Sequence, residues 1–429
     1  MKPHILFKTV VLSLVVLTIS CQPIQKSDNI LSSFLVDGFP EEAGMSTNRI
    51  SKIDGLLQEY IDNGLIPGAV GLVARDGKIV YHKAFGMRDI EENDPMKKDN
   101  IFRIASMSKA ITSVAVMMLY EDGGFLLDDP VSKYIPEFKD PEILVKSNPD
   151  GTYESKPAEH EITVRHLLTH TSGIGYGFIH SELKPIYDKA GIPGGFVLTD
   201  AVLGDKIRTL AGLPLLHEPG EKYTYGLNMD VLGYFVEVLS GISFDEFLKE
   251  RIFKPLGMED TYFYLPEKDF PRLATIYAEN EDGISPSDDE EYQYPVKGAK
   301  SFFAGGAGLC STALDYAKFL QMLVNDGSYG EYQLLSPKTV ELISMNHVGD
   351  LFGDNHFGLG FGITTDKTVH ENLSSVGNYW WGGYFHTHFW IDPKEDMVAV
   401  LMLQMYPVIH GEIAPKFQNL VYQAITEIK

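Results

Sequence analysis

Apolar residues along the chain fall into short runs and longer periodic ones. Ala69-Val70-Gly71-Leu72-Val73-Ala74 and Lys78-Ile79-Val80-Tyr81-His82 are short and β-prone, with Arg75-Asp76-Gly77 between them. Asp-Gly between two such runs predicts a hairpin. Before them, Ile50, Ile53, Leu56, Leu57, Tyr60 and Ile61 recur at three- and four-residue intervals after Ser46-Thr47-Asn48. That spacing predicts an amphipathic helix, ended by Asn63-Gly64 and Pro67. The run through Ala110-Ile111-Thr112-Ser113-Val114-Ala115-Val116-Met117-Met118-Leu119 is too long and too rich in helix formers for a strand. It predicts a buried helix, closed by Gly123-Gly124.

The middle of the chain is more broken. Leu126 to Val131 opens a loop with short helical turns, and Gly, Pro and Asp recur through 138–160, which predicts irregular surface. Thr163 to Gly173 reads as a short capped helix, and Asp230 to Leu239 as an amphipathic helix closed by Gly241, with Ser243 capping the next. Glu279 to Glu290 is acidic and turn-rich, a predicted surface loop. Strands return at Phe389-Trp390-Ile391-Asp392-Pro393 and Met397 to Leu403, a predicted hairpin around Lys394-Glu395-Asp396, before a terminal helix from Gly411 to Ile428. An early hairpin, a helical middle (about 123–300) and a late hairpin predict an α/β (α+β) fold. Both strand groups share one antiparallel sheet, with the middle inserted as a helical subdomain.

Composition narrows the classes. With 44% hydrophobic residues the 429-residue chain can fill a packed core. A net charge of −23 and the lack of a basic patch argue against a nucleic-acid partner. Lys2 and Lys8 stand at the start of the apolar run Val10 to Ile19, which is signal-peptide length and too short to span a bilayer. Leu17-Thr18-Ile19-Ser20 before Cys21 resembles a bacterial lipoprotein cleavage site, although Thr18 stands where such signals usually carry Leu. Residues 1–21 are therefore expected to be a lipoprotein-type signal, 22–39 a tether and 40–429 the folded domain. This makes the chain an exported bacterial protein whose membrane contact is a lipid on Cys21. The only other cysteine, Cys310, is expected to be a small buried hydrophobe.

The candidate chemistry begins at the buried helix. Ser106 precedes it and Lys109 lies one turn on, on the same face. An amine there can take the proton of a hydroxyl that is otherwise a weak nucleophile, and the helix N-terminus favours a developing negative charge. Burial would lower the lysine's pKa. The spacing alone leaves a second reading open, in which Ser106 is a helix cap. Ser181 and Lys184 repeat the spacing with no long apolar helix behind them.

Taken in order, several segments resemble the serine β-lactamase and penicillin-binding-protein-like superfamily. They are Ile104-Ala105-Ser106-Met107-Ser108-Lys109, Leu126 to Val131, His166-Leu167-Leu168-Thr169-His170-Thr171-Ser172-Gly173 and Pro219-Gly220 before Tyr223-Thr224-Tyr225. Gly305 to Tyr316, Trp381-Gly382-Gly383 and Phe389 to Pro393 complete the series. Within that superfamily the chain is similar to the class C β-lactamases and family VIII carboxylesterases, over most of residues 41–408. The resemblance implies a β-lactamase/transpeptidase-like fold and a catalytic set of Ser106, Lys109 and Tyr225. It implies an oxyanion hole from the N–H groups of Ser106 and Tyr384, and substrate contacts from Trp381, Gly382 and Gly383. Two departures stand out. Leu227 occupies the place of the family's Tyr-x-Asn asparagine, leaving open whether Asn228 substitutes for it. Trp381-Gly382-Gly383 replaces the usual Lys/His-Thr-Gly, as in the esterase branch. Tryptophan offers an apolar face and one N–H where a cation would hold a carboxylate.

No cofactor or metal is expected. His386 and His388 alternate on a predicted strand without a third ligand, His166 and His170 share a helical face in a structural stretch, and the Gly305 to Gly308 run lacks the Lys-Ser/Thr of a phosphate loop. The leading expectation is a serine hydrolase that cleaves small esters through an acyl-enzyme. The alternatives are a β-lactamase or D-Ala-type peptidase acting on antibiotics or cell-wall peptides, and a catalytically silent cell-surface binding protein. Arg103 is the one residue near Ser106 that could supply a cation to anionic substrates. Oligomeric state is left open.

Overall fold

The apolar runs at 69–74 and 397–402 become neighbouring strands in the middle of a large sheet. In the computed structural model, which describes residues 34–281 and 283–429, the sheet starts with β1 (Val36–Asp37), β2 (Gly68–Arg75) and β3 (Lys78–Asp89). After the long middle come β4 (His356–Phe357), β5 (Gly362–Ile363), β6 (Tyr379–Gly383), β7 (Thr387–Asp392) and β8 (Met397–Met402). Their order is β1-β3-β2-β8-β7-β6-β5-β4, with Asp94–Pro95 added beside β3. The expected seam is present: β2 runs antiparallel to β8, with Val70 opposite Met402 and Arg75 opposite Met397. The β2–β3 turn puts both Asp76 and Gly77 at positive φ (56° and 69°), the twist a two-residue hairpin needs. The signal-like segment, Cys21 and residues 22–33 lie outside the described residues. Val36 and Asp37, in the stretch read as tether, pair with β3, and in parallel, the one such pairing in an otherwise antiparallel sheet among the described residues.

Every residue of β2 and β8 is buried, because helices cover both sheet faces. Alternation divides the side chains. Ala69, Val73, Ala399 and Leu401 pack with α1 (Lys52–Asp62) and α5 (Ile413–Tyr422). Val70, Leu72, Val398 and Val400 face the main core, which contains α2 (Ser108–Glu121), α3 (Asn228–Ser240) and α4 (Ala313–Val324). Helix α2 is buried from Ser108 to Leu119, hence its apolar residues all round.

Several expectations are corrected. The helix opened by Ser46 breaks at Ser51 into Thr47–Ile50 and α1. Residues 138–160 hold a hairpin, Glu142–Ser147 with Tyr153–Pro157, hidden in the sequence because its side chains are mostly exposed and polar. The acidic 279–290 stretch also contains a hairpin, Tyr277–Asn280 with Gly283–Pro286. Its Glu279 is buried, accepting backbone N–H bonds from Ile409 and His410. The helix capped by Thr163 ends at Leu168, before Gly173, since His170 takes φ 55°. Ser243 occupies a cap position, but Glu237 accepts the Phe244 N–H instead (3.0 Å). The terminal helix is shorter than expected because the chain end pairs back: Ile425 bridges Met45, and Thr426 N–H reaches Gly44 O.

Candidate active site

Ser106 sits in a 3-10 turn, Ala105–Met107, that runs straight into α2. Ala105 just before it has φ 41°, a left-handed conformation that is strained for alanine and sets the nucleophile segment at an angle to the helix. Lys109 is buried one turn later, and its Nζ lies 3.1 Å from Ser106 Oγ. Two further partners complete the amine's environment: Gly306 O at 2.7 Å and the Tyr176 hydroxyl at 3.2 Å. The Tyr225 hydroxyl donates to Ser106 Oγ at 2.8 Å, and its ring passes 4.5 Å from Lys109 Nζ. The structure thus brings Ser106, Lys109 and Tyr225 into one hydrogen-bonded cluster. A helix cap would instead bond its own backbone, so the capping reading of Ser106 is set aside.

Polar residues of the buried helix explain how Gly306 arrives there. Thr112 Oγ1 donates to Gly305 O (2.8 Å) and Ser108 Oγ accepts from Leu309 N–H (3.1 Å), so the glycine-rich segment is clamped along α2. A side chain at Gly306 would meet Asp230 Oδ2 at 2.7 Å and the Tyr176 hydroxyl at 2.9 Å. Asp230 is fully buried and accepts from Gly306 N–H (3.3 Å). Burial pushes its carboxyl up to about 6, against the pull of Lys109. Burial, with Asp230 second, holds the Tyr176 phenol well above its ordinary range, so it stays protonated.

Tyr225 is positioned by the His166–Gly173 motif. Thr224 N–H bonds His170 O, Gly220 N–H bonds Thr171 O, and a side chain at Gly226 would meet Ile174 O at 2.1 Å. Asn228 takes part in that scaffold. It accepts from Ser172 Oγ (2.5 Å) and its Nδ2 reaches His170 Nδ1 (3.0 Å) and Ile174 O (3.3 Å). These bonds use its amide away from the serine, so Asn228 is no stand-in for the missing asparagine. Beside Ser106, the polar partners of Lys109 are Gly306 O and the Tyr176 hydroxyl, both of which sequence reasoning missed.

The far wall is β6. Trp381 lies beside Tyr225 (ring centroids 5.7 Å) and packs on Phe357 (5.6 Å). Gly383 is needed for a reason other than substrate approach: a side chain there would meet Thr387 Oγ1 at 2.2 Å and Ile104 O at 2.4 Å, so its absence lets β6 close onto the nucleophile segment. Gly382 and Tyr384 line the same cleft as Ser106, which has a volume of about 930 Å³. Arg103 is turned away: it is buried, donating Nε to Tyr292 O (2.7 Å) and Nη1 to Ala274 O (2.9 Å). Ser181 is exposed and Lys184 is paired with Asp188 (2.7 Å), so the second Ser-x-x-Lys builds no comparable cluster. His166 Nδ1 accepts from Thr163 N–H (3.2 Å), while His386 and His388 lie with ring centroids 4.6 Å apart, the second on the cleft wall. Cys310 is a buried free thiol, pushed up to about 12 by burial.

Known proteins resemble the chain over most of its length. Esterase EstB of Burkholderia gladioli is 30% identical over 393 residues, covering 87% of this chain and 95% of that protein. Lovastatin esterase of Penicillium rubens is 29% identical over 399 residues, 84% of this chain and 94% of that one. The solved structure of EstCE1, a hydrolase with promiscuous acyltransferase activity, superposes with a TM-score of 0.75 at 28% identity, covering 87% of this chain and 99% of its own. The fold is the β-lactamase/transpeptidase-like one expected. With residues 53–411 matching the Beta-lactamase family, the chain belongs to that family.

Proposed function

We propose that the protein is a serine hydrolase that cleaves carboxylic esters through an acyl-enzyme on Ser106. The observation that carries this is the placement of Ser106 Oγ between Lys109 Nζ (3.1 Å) and the Tyr225 hydroxyl (2.8 Å) on the wall of an open cleft. Ser106 Oγ attacks the ester carbonyl while its proton passes to Lys109. The carbonyl oxygen gathers negative charge, for which the N–H groups of Ser106 and Tyr384 are the donors. Tyr225 then gives its proton to the departing alkoxide and recovers one through Lys109. Water repeats the sequence on the acyl-enzyme, releasing the acid and restoring Ser106.

Similarity to EstB, lovastatin esterase and EstCE1 supports an ester substrate. A β-lactamase or peptidase is less favoured, because Trp381 stands where a cation would hold the substrate carboxylate and Arg103 is occupied by backbone carbonyls. The intact cluster at Ser106 speaks against a silent binding protein. A cleft of about 930 Å³ takes a drug-sized ester, so short-chain esters would be accepted without filling it. A second reading, transfer of the acyl group to an alcohol in place of water, draws on EstCE1's described acyltransferase activity. Export and anchoring through a lipid on Cys21 complete the proposal, supported by the residues before that cysteine. Cys21→Ser should abolish labelling of the protein by radioactive palmitate.

The test is a side-by-side assay of nitrophenyl esters, a chromogenic cephalosporin and D-Ala-D-Ala peptides. Ester turnover should dominate and fall at least about a thousandfold in Ser106→Ala. A fluorophosphonate should modify Ser106. Modification at Ser181, or preference for the cephalosporin, would overturn the reading.

A further inference from the structure

The cleft lining is of two kinds. Phe178, Ile179, Ile192 and Pro193 present apolar surface. Elsewhere in the lining aromatic rings stand together as one wall: Tyr384 stacks on Tyr406 with centroids 3.7 Å apart, and Phe196 and Tyr292 meet Tyr384 at 5.9 and 6.5 Å. Asp289 and Glu291 line the cleft beside them. One Asp289 oxygen caps the backbone by accepting from Glu291 N–H (3.0 Å), and neither carboxylate has an ion-pair partner among the described residues. Partial desolvation at the cleft, with the charge of Asp289 second, raises the Glu291 carboxyl above its ordinary value.

Among the described residues nothing else in the lining compensates. Lys184 is cancelled by Asp188 at 2.7 Å. His388 is held neutral, since burial pushes its imidazole down to about 3. Arg103 points to backbone carbonyls behind the wall. Lys109, at the nucleophile, has its own partners there. Two carboxylates are therefore left over on a wall of tyrosine and phenylalanine.

We infer that the substrate is an ester bearing an ammonium group, quaternary or protonated, seated against Phe196, Tyr292, Tyr384 and Tyr406 beneath Asp289 and Glu291. This rests on the ester-hydrolase reading above. The negative faces of the rings attract a cation at short range, and the carboxylates extend that attraction into solvent. An anionic substrate meets the same field as a repulsion. The cation takes no part in bond making: Ser106 still attacks the carbonyl and the alcohol still leaves with the proton from Tyr225. The wall adjoins Tyr384, an expected oxyanion donor, so it borders both halves of the ester.

Butyrylthiocholine and 3,3-dimethylbutyl thiobutyrate share the acyl group, the leaving sulfur and the shape, differing only in the charged nitrogen. A second pair, the nitrophenyl esters of 4-(trimethylammonio)butyrate and 5,5-dimethylhexanoate, puts the charge on the acyl half. In at least one pair kcat/KM should favour the cation by about fivefold or more at low salt. The ratio should shrink in about 0.5 M salt, and shrink in Asp289→Asn/Glu291→Gln towards what the rings alone supply. Ratios of one or below in both pairs, or a preference untouched by the double substitution, overturn the inference. Calorimetric binding of the charged and neutral members of both pairs to Ser106→Ala reads the same preference without turnover. Loss of hydrolysis on every ester would thus refute the hydrolase reading, whereas equal binding within both pairs would refute the cation site alone.

Discussion

Tyr176→Phe removes one oxygen and keeps the ring that packs on Phe178 (4.9 Å) and Tyr225 (5.5 Å). That oxygen is one of three partners of Lys109 Nζ, the others being Gly306 O at 2.7 Å and Ser106 Oγ at 3.1 Å. Three partners fill the three non-carbon positions of the amine and fix its direction towards the serine. Deleting one leaves a buried nitrogen position unmatched, a loss of about 1–3 kcal/mol. If that loss falls on the transition state, kcat drops by about fivefold to about 150-fold, with KM little changed. Steady-state kinetics on a nitrophenyl butyrate, with circular dichroism to confirm folding, would measure it. A kcat within about threefold of the parent refutes the reasoning: Gly306 O alone would then suffice to aim the lysine.

Lys109→Ala and Tyr225→Phe should each lower kcat strongly, yet the double variant should be little worse than the poorer single one, because both act on one proton path. Losses that multiply in the kinetics would show two independent paths. Asp230→Asn concerns stability. The carboxyl titrates at about 6 when folded against 3.8 for an unperturbed aspartate, so between those values the folded chain keeps a proton that the unfolded chain releases. Stability contributed by this group therefore falls as pH rises from about 4 to about 6, by up to about 3 kcal/mol. Asparagine can still accept from Gly306 N–H, so the variant should flatten that slope and raise the urea midpoint at pH 7. A lower midpoint would mean the carboxylate is needed as the counter-charge of Lys109. Trp381→Lys should shift relative kcat/KM towards carboxylate-bearing esters, while losing the ring packed on Tyr225 and Phe357. A thermal melt should show destabilisation of about 2–4 kcal/mol, and unchanged selectivity would mean that position 381 does not read substrate charge.

What could be read from residue order was local. Asp76-Gly77 between two apolar runs announces its hairpin, and the unbroken apolar stretch after Ser106 announces a buried helix, because each signal is complete within a few residues. Ser106, Lys109 and Tyr225 were recognisable because the motifs around them have characteristic side chains. Tyr176 has no such frame. It reaches Lys109 only after the 170–176 segment folds over α3, and a tyrosine in a Gly-rich stretch looks like any other. Gly306 contributes a backbone carbonyl, which every residue possesses, so no letter could mark it. Asn228 stayed open for the opposite reason: its letter falls one residue past the catalytic motif's asparagine, and only the fold shows that its amide serves a buried scaffold. The hairpin at 277–286 was obscured by charge, since Glu279 is buried against the backbone of Ile409 and His410, far along the chain.

The β2–β8 seam has a kinetic consequence. Val70 finds its partner in Met402, so nearly all of the residues up to that point must be synthesised before the central strand, held on one side by β3, is paired on its other side. Such long-range closure slows folding, and until it occurs β2 presents an unpaired edge of eight residues that are all buried in the finished protein. A nascent or truncated chain can hold Ser106 and Lys109 on one helix, yet lacks β6 to wall the cleft and β8 to anchor the sheet. Hydrolytic competence is therefore withheld from partial products, which are instead the species most exposed to aggregation. The cleft is among the last things this chain builds.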